Sequence, residues 1–290
     1  MKTIGIIGTG KLGTSLGRAL HRYGIPIKTI SDSSPEAARE SLALLDDADI
    51  VITHTQAAAG MADLIILTVP DDSLTAVVDQ LRNARIRWEK KTVFHCSGLH
   101  SAALLAPLRQ QGARTASVHP IQSFAGKDGG PESFRGITFG IEGDSKALDQ
   151  ARCLVEMLGG RVLILDPKEK PLYHAACSIA SNLFVSLTGL AVELLKETGM
   201  ESASAFAALT PLIRGTLKNM TESGPKASLT GPLKRGDIDS VAAHLKALEK
   251  APAAAAVYRR LSRLALEWIR LEKALNPEKA EALESLLKGK

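Results

Sequence analysis

Gly8-Thr9-Gly10-Lys11-Leu12-Gly13 follows the apolar run Thr3–Ile7 and leads into Leu12–Tyr23, where apolar residues recur at helical spacing. A GxGxxG pattern carries little weight alone. Between a strand and a helix, at the head of a βαβ unit, it marks a tight turn that brings backbone N–H groups to an anionic ligand. Gly8 then permits the turn, Gly10 lets the main chain approach a pyrophosphate, and Gly13 lets helix and strand pack closely. Thr9, Lys11 and Leu12 share the cradle, and the helix N-terminus offers unpaired N–H groups to phosphates.

The same alternation continues for half the chain. Strands are expected at Thr3–Ile7, Ile27–Ile30, Ala62–Val69, Thr92–His95, Arg114–Val118, Ile137–Ile141 and Arg161–Leu165, with helical patterns between them. Ala62–Val69 is almost wholly apolar, as expected of a parallel strand covered on both faces. From Pro171 onward the pattern changes to long helices at Tyr173–Thr198, Ser202–Met220, Ile238–Lys250 and Ala253–Ala274, punctuated by Gly224-Pro225 and Gly231-Pro232. The expected fold is therefore α/β. A doubly wound parallel sheet over residues 1–166 precedes an all-α domain over 167–290, with the boundary near Asp166-Pro167. A chain of 290 residues is long enough for two modest cores.

Composition narrows the function. The chain is 45% hydrophobic and 23% charged, which excludes a disordered, collagenous or disulfide-stapled protein. A net charge of +5 with scattered Lys and Arg and 4% aromatic residues lacks the basic stripe and stacking platforms of a nucleic-acid binder. A small anionic ligand fits as well. Cys96, Cys153 and Cys177 are too widely spaced for a metal or disulfide set and read as reduced cytoplasmic thiols. His21, His54, His100 and His244 form no ligand cluster, so no metal is expected. The apolar start at Ile4–Gly8 is too short for a signal segment. Ala175–Val192 carries no charge but includes Ser178, Ser181, Asn182, Ser186 and Thr188, so a buried helix rather than a membrane span is expected.

Chemistry concentrates where strands end. Asp32 lies about 20 residues past the glycines, where a carboxylate accepts from the 2′-hydroxyl of NAD and repels the 2′-phosphate of NADP. Ser33, Ser34 and Arg39 could instead help hold a phosphate, and Asp32 could equally cap the helix starting at Pro35. Val69-Pro70 is expected beside the nicotinamide ribose. His95-Cys96-Ser97-Gly98 and His119-Pro120 follow successive strands. His119 is the first choice for acid/base, with Ser97 beside it to orient an acceptor, while His95 can be structural and nothing activates Cys96. His174, Ser178 and Asn182 step by four along one helix face, and Ser186 continues the stripe. Such a stripe needs partners, either a ligand in an inter-domain cleft or another helix. Arg235 can clamp a substrate carboxylate, and Asp237 can cap the helix that follows.

GTGKLG, ADLIILTVPDD, HCSG, SVHPIQSF, YHAACSIASN and LTGPLKRGD together resemble the Rossmann-like proteins with a DUF2520 C-terminal domain, across essentially the whole chain. The wider group is the 6-phosphogluconate dehydrogenase-type reductases, including pyrroline-5-carboxylate, F420-dependent NADP and ketopantoate reductases and prephenate dehydrogenases. The resemblance implies a cytoplasmic NAD(P)-dependent oxidoreductase that dimerises through its helical domain. Prephenate dehydrogenases place a serine and a His-Pro around the reacting hydroxyl, matched here by Ser97 and His119-Pro120. Ketopantoate-type reductases place a lysine one turn before an asparagine. Asn182 matches the asparagine, but Ser178 stands at the lysine position, which moves the proton-donor role to His119 or His174. A 2-oxo acid, ketopantoate first, is the leading substrate. An imine reductase and a non-catalytic dinucleotide-sensing dimer are the alternatives.

Overall fold

The computed structural model describes residues 2–288. Eight strands form one sheet in the order β3-β2-β1-β4-β5-β6-β7-β8. They are β1 (Ile4–Ile7), β2 (Ile27–Ser31), β3 (Val51–Ile52), β4 (Leu64–Leu67), β5 (Thr92–His95), β6 (Arg114–Pro120), β7 (Thr138–Gly143) and β8 (Arg161–Ile164). Seven were expected. The eighth, β3, is a two-residue pair with Thr29 and Ile30, too short to show a hydrophobic period. All pairings are parallel except β6 with β7. The sheet is thus parallel-dominated and α/β, as expected, with one antiparallel pair. No crossover helix of useful length separates those two strands, so the chain returns antiparallel.

The helices between strands are α1 (Lys11–Arg22), α2 (Pro35–Leu45), α3 (Thr55–Met61), α4 (Asp71–Arg82), α5 (Ala106–Gln110) and α6 (Ser145–Met157). Alternate strand residues feed two cores. Ile4, Ile6, Ile30, Ile66 and Phe94 pack on the side of α1 and α6, while Ile7, Ile65, Leu67 and Val93 pack on the side of α3, α4 and α5. That double coverage explains the unbroken apolar runs of β1 and β4. Local capping sets the starts. Ser34 accepts from Ala37 N before α2, with Pro35 in the first turn, and Asp144 accepts from Ala147 N before α6.

Beyond β8 the described chain is helical: α7 (Lys170–Ser178), a π-helical turn (Ile179–Leu183), α8 (Phe184–Lys196), α9 (Ser202–Ser223), α10 (Pro232–Arg235), α11 (Ile238–Ala247), α12 (Pro252–Leu271) and α13 (Pro277–Lys288). The chain forms two compact units, the first ending at Leu183 and the second beginning at Phe184. The second unit has its own core of Val241, Leu245, Leu266, Leu283 and Leu287. Asp237 caps α11 by accepting from Ser240 N.

The stretch Pro167–Lys196 is one helix long and apolar enough to cross a membrane, with mean hydropathy 1.7 in its most apolar window. It is not the buried core helix expected from sequence. None of that window is buried within the chain, and Ile179, Leu183 and Val185 are exposed.

Candidate active site

The sheet order reverses between β1 and β4, and the loops leaving these strands lie side by side. Gly8 adopts φ +101°, and a Cβ there would sit 2.7 Å from Val69 N. A Cβ on Gly13 would strike the Gly8 carbonyl and the Thr68 hydroxyl, so this glycine lets α1 press onto the loop. Above Gly10, by contrast, a Cβ would meet nothing within 4 Å. No side chain caps the start of α1 at Lys11, and its first turn holds no acid. An open backbone face beneath an uncapped helix N-terminus fits a pyrophosphate. Val69 lies against Gly8, Thr9 bonds to Asp32 from within the turn, and Leu12 packs on the core beneath it.

Asp32 is knitted into the same turn. One carboxylate oxygen accepts from Thr9 N at 2.6 Å and Thr9 Oγ1 at 2.9 Å, and the other accepts from Ser34 N at 3.0 Å and Ser33 Oγ at 3.4 Å. Partial burial pushes its pKa up, but the Ser34 and Thr9 N–H groups and the hydroxyls outweigh it, so the group lies below the usual carboxylate range. The carboxylate is thus charged. Asp32 is not the cap of α2, because Ser34 fills that position.

The second cluster lies beyond β5 and β6. His95 ends β5, fully buried, with Nε2 3.1 Å from the Ser101 carbonyl and Nδ1 accepting from Ser97 N at 3.2 Å. Burial holds its pKa down to about 4, Lys170 adding to the effect against the Ser101 hydrogen bond. His95 is a neutral structural pin. Ser97 is turned by its own loop, its Oγ accepting from Leu99 N at 3.1 Å and His100 N at 2.9 Å. Both lone pairs are used, which leaves the hydroxyl proton to donate. Burial pushes the Cys96 thiol up to about 12, so it stays an inert thiol.

His119, near the end of β6, meets α7. Its Nδ1 lies 2.7 Å from the Tyr173 hydroxyl, and its ring stands edge-on to those of Tyr173 and His174, with centroids 5.6 and 6.1 Å away. Burial, the Lys170 ammonium and His174 lower its pKa to about 4, with Asp71 opposing them. A cavity of about 450 Å³ opens beside His119 and His174, lined also by Gln122, Ser123, Ser178 and Asn182. The π-helical turn Ile179–Leu183 widens the helix where Ser178, Ser181 and Asn182 reach this cavity, a device common at functional sites. Ser186, which continues the stripe in sequence, belongs to α8 of the second unit. Arg235 is also in the second unit, at the end of α10, with Nη2 4.0 Å from Asp237.

Sequence reasoning missed the charge at this site. Lys170, on the first turn of α7, is fully buried, and its Nζ donates to Ser117 Oγ at 2.7 Å and to the Ser97 carbonyl at 3.1 Å. Burial lowers its pKa, while Glu142, Cys96 and Asp71 raise it. Glu142 is also buried, accepting from Ala102 N at 2.6 Å, and burial pushes its pKa up. The available signal was spacing: Lys170 stands one helical turn before His174. Ser178 stands where ketopantoate-type reductases carry a lysine, and an ammonium reaches the Ser97 turn from two turns earlier. No group of metal-binding side chains occurs among the described residues.

Two family models match the chain, a Rossmann-like domain over residues 1–120 and the domain of unknown function DUF2520 over 137–265. The chain thus joins a Rossmann-like domain to a DUF2520 domain. Among solved structures it is similar to a Bacteroides fragilis protein assigned as an NADP oxidoreductase, at 25% identity and TM-score 0.75, covering 91% of this chain and 97% of that one. It is also similar to a Thermotoga maritima protein at 26% identity and TM-score 0.72, covering 93% and 99%. Prephenate dehydrogenase from Aquifex aeolicus shares the fold at 18% identity and TM-score 0.57, covering 93% and 97%. No curated protein matches the chain.

Proposed function

We propose that the protein is a cytoplasmic, homodimeric NAD(P)-dependent oxidoreductase that reduces a small 2-oxo acid, with ketopantoate as the first candidate and NADH as the preferred donor. The observation that carries this reading is the convergence of His119, His174, Ser178 and Asn182 on one cavity, with the Ser97-Gly98 turn packed against both imidazoles. The likeness to the Bacteroides fragilis protein supports the dinucleotide. Residues 1–166 would hold the dinucleotide and supply Ser97 and His119, and residues 167–290 would make the remaining substrate contacts and the dimer.

The nicotinamide ring would supply a hydride to the carbonyl carbon. Negative charge then grows on the carbonyl oxygen, where a neutral His119 and the donating Ser97 hydroxyl would stabilise it. His174, Ser178 and Asn182 would orient the acceptor in the cavity. Asp32 would hold the adenine ribose and repel a 2′-phosphate. The second unit exposes Val185 and Leu187 on α8 and Phe206, Leu212 and Leu217 on α9, an apolar surface that a second copy would cover. The apolar stretch Pro167–Lys196 is then a dimer face rather than a membrane span, and no nucleic-acid partner is invoked.

Fluorescence titration with NADH and NADPH tests the first half of this reading, and turnover of ketopantoate against a cyclic imine tests the second. Micromolar binding of NADH with ketopantoate turnover is expected. Turnover of the imine alone would replace the substrate class, and binding without any acceptor would favour a sensing dimer. No binding of either nucleotide by folded protein would remove the reductase reading altogether.

A further inference from the structure

We propose that Tyr173 is a positioning residue that fixes the proton of His119 on Nε2, so that the ring meets a ligand in the adjoining cavity as a neutral hydrogen-bond donor. The consequence for catalysis rests on the reductase reading, but the tautomer itself does not.

Sheet register makes the contact. His119 on β6 pairs with Gly140 on β7. A Cβ at position 140 would lie 2.7 Å from the Tyr173 hydroxyl and 2.8 Å from its ring carbon Cζ. The phenol of Tyr173 thus fills the place where a side chain opposite His119 would stand, and its oxygen reaches Nδ1 at 2.7 Å. On the far side the ring meets a second glycine. A Cβ on Gly98 would lie 2.9 Å from His119 Nε2 and 2.6 Å from His174 Cδ2. The imidazole is therefore held between two positions without side chains, with Nδ1 toward the phenol and Nε2 over the Ser97-Gly98 turn.

The direction of the Nδ1 hydrogen bond follows from donor and acceptor strength. A phenol is a far stronger acid than a neutral imidazole N–H, and an imidazole nitrogen is a far better acceptor than a phenol oxygen. The O–H therefore donates to Nδ1, and the ring proton goes to Nε2. This requires both groups to be uncharged. Burial keeps the Tyr173 hydroxyl protonated, with Cys177 adding to the effect. The charged and titratable groups that act on His119 are Lys170, Tyr173 and His174 on α7 and Asp71 at the start of α4. Lys170 outweighs Asp71 there, so an imidazolium is disfavoured. A donor on Nε2 suits an oxygen that gains negative charge, whereas the opposite tautomer would present a lone pair to it.

The test is long-range 1H–15N spectroscopy of the histidine rings from pH 5.5 to 8, in the wild type and in Tyr173→Phe, with His119→Gln used to assign the ring. The wild-type ring is expected to carry its proton on Nε2 and to show no titration over this range. In Tyr173→Phe the Nδ1–H form should appear, and kcat should fall about 10- to 100-fold with dinucleotide affinity unchanged. A wild-type ring protonated on Nδ1, or on both nitrogens at pH 7, would overturn the proposal. So would an unchanged Nε2–H pattern in Tyr173→Phe. The spectra need no substrate, so they decide the tautomer even if no reductase activity is found.

Discussion

Lys170 Nζ donates to the Ser117 hydroxyl at 2.7 Å and to the Ser97 carbonyl at 3.1 Å, tying the first turn of α7 to β6 and to the loop after β5. A buried ammonium is costly unless its protons are accepted. Its field also helps keep His119 neutral. In Lys170→Met the His119 pKa should rise above about 4, read by ring NMR titration, because one of the causes lowering it is gone. The change in stability should stay within about 2 kcal/mol, since relief of desolvation offsets the orphaned acceptors. An unmoved His119 titration would show that Lys170 does not set that environment.

Gly98 is expected to tolerate no side chain. A methyl group there would lie 2.6 Å from His174 Cδ2 and 2.9 Å from His119 Nε2, so both rings must move. Displacement of about 1 Å at reacting groups costs about 100-fold in rate. Gly98→Ala should therefore lose about that factor in kcat while keeping its affinity for dinucleotide, measured by steady-state kinetics and fluorescence titration. Full turnover in this variant would place the chemistry away from His119.

Asp32 should decide which nucleotide is taken. Its carboxylate is ionised and anchored to Thr9 N at 2.6 Å, so it cannot swing away from an incoming 2′-phosphate. Asp32→Asn keeps an acceptor for Thr9 and removes the charge. NADPH should then bind about 10-fold tighter, corresponding to about 1.4 kcal/mol, while NADH changes little. Equal effects on both nucleotides would mean that Asp32 only shapes the turn.

The second unit should carry the dimer. Val185 on α8 is 69% exposed in the single chain. Burying an unpaired carboxylate in an apolar interface is strongly unfavourable. Val185→Glu is expected to give a folded monomer by analytical ultracentrifugation where the wild type sediments as a dimer. A wild-type monomer, or a dimeric variant, would place the apolar surface of α8 outside any self-association.

The parts of the molecule legible in sequence are those set by local pattern. The glycine turn, the apolar runs of β1 and β4 and the long helices after Pro171 each follow from spacing and residue type. The antiparallel return of β7 was not legible, because strand direction depends on what the connecting loop packs against. Tyr173 and Lys170 were visible as residues but not as site members. Their roles depend on Gly140 facing His119 across the β6–β7 pair and on Ser117 facing His95 across the β5–β6 pair, which brings its hydroxyl to the Ser97 carbonyl, relations that only the register supplies. The expectation of a buried helix at Ala175–Val192 failed for a related reason. An apolar helical pattern does not say whether the helix lies in its own chain's core, and this one does not.

His95 should make the fold sensitive to acid. Its Nδ1 accepts from Ser97 N, and its Nε2 faces the Ser101 carbonyl, so the folded state requires a neutral ring. Burial holds the folded pKa down to about 4, against an unfolded value of 6.5. The unfolded chain thus takes up a proton first. Stability from this group is complete above pH 6.5 and is lost as pH falls from there toward 4, at about 1.4 kcal/mol per pH unit and about 3 kcal/mol in all. His95→Gln cannot titrate and should show a shallower decline. Urea unfolding at pH 7, 5.5 and 4.5 measures the two slopes. Parallel slopes in wild type and variant would mean that His95 is not held neutral by the fold, and would remove the basis for treating it as structural.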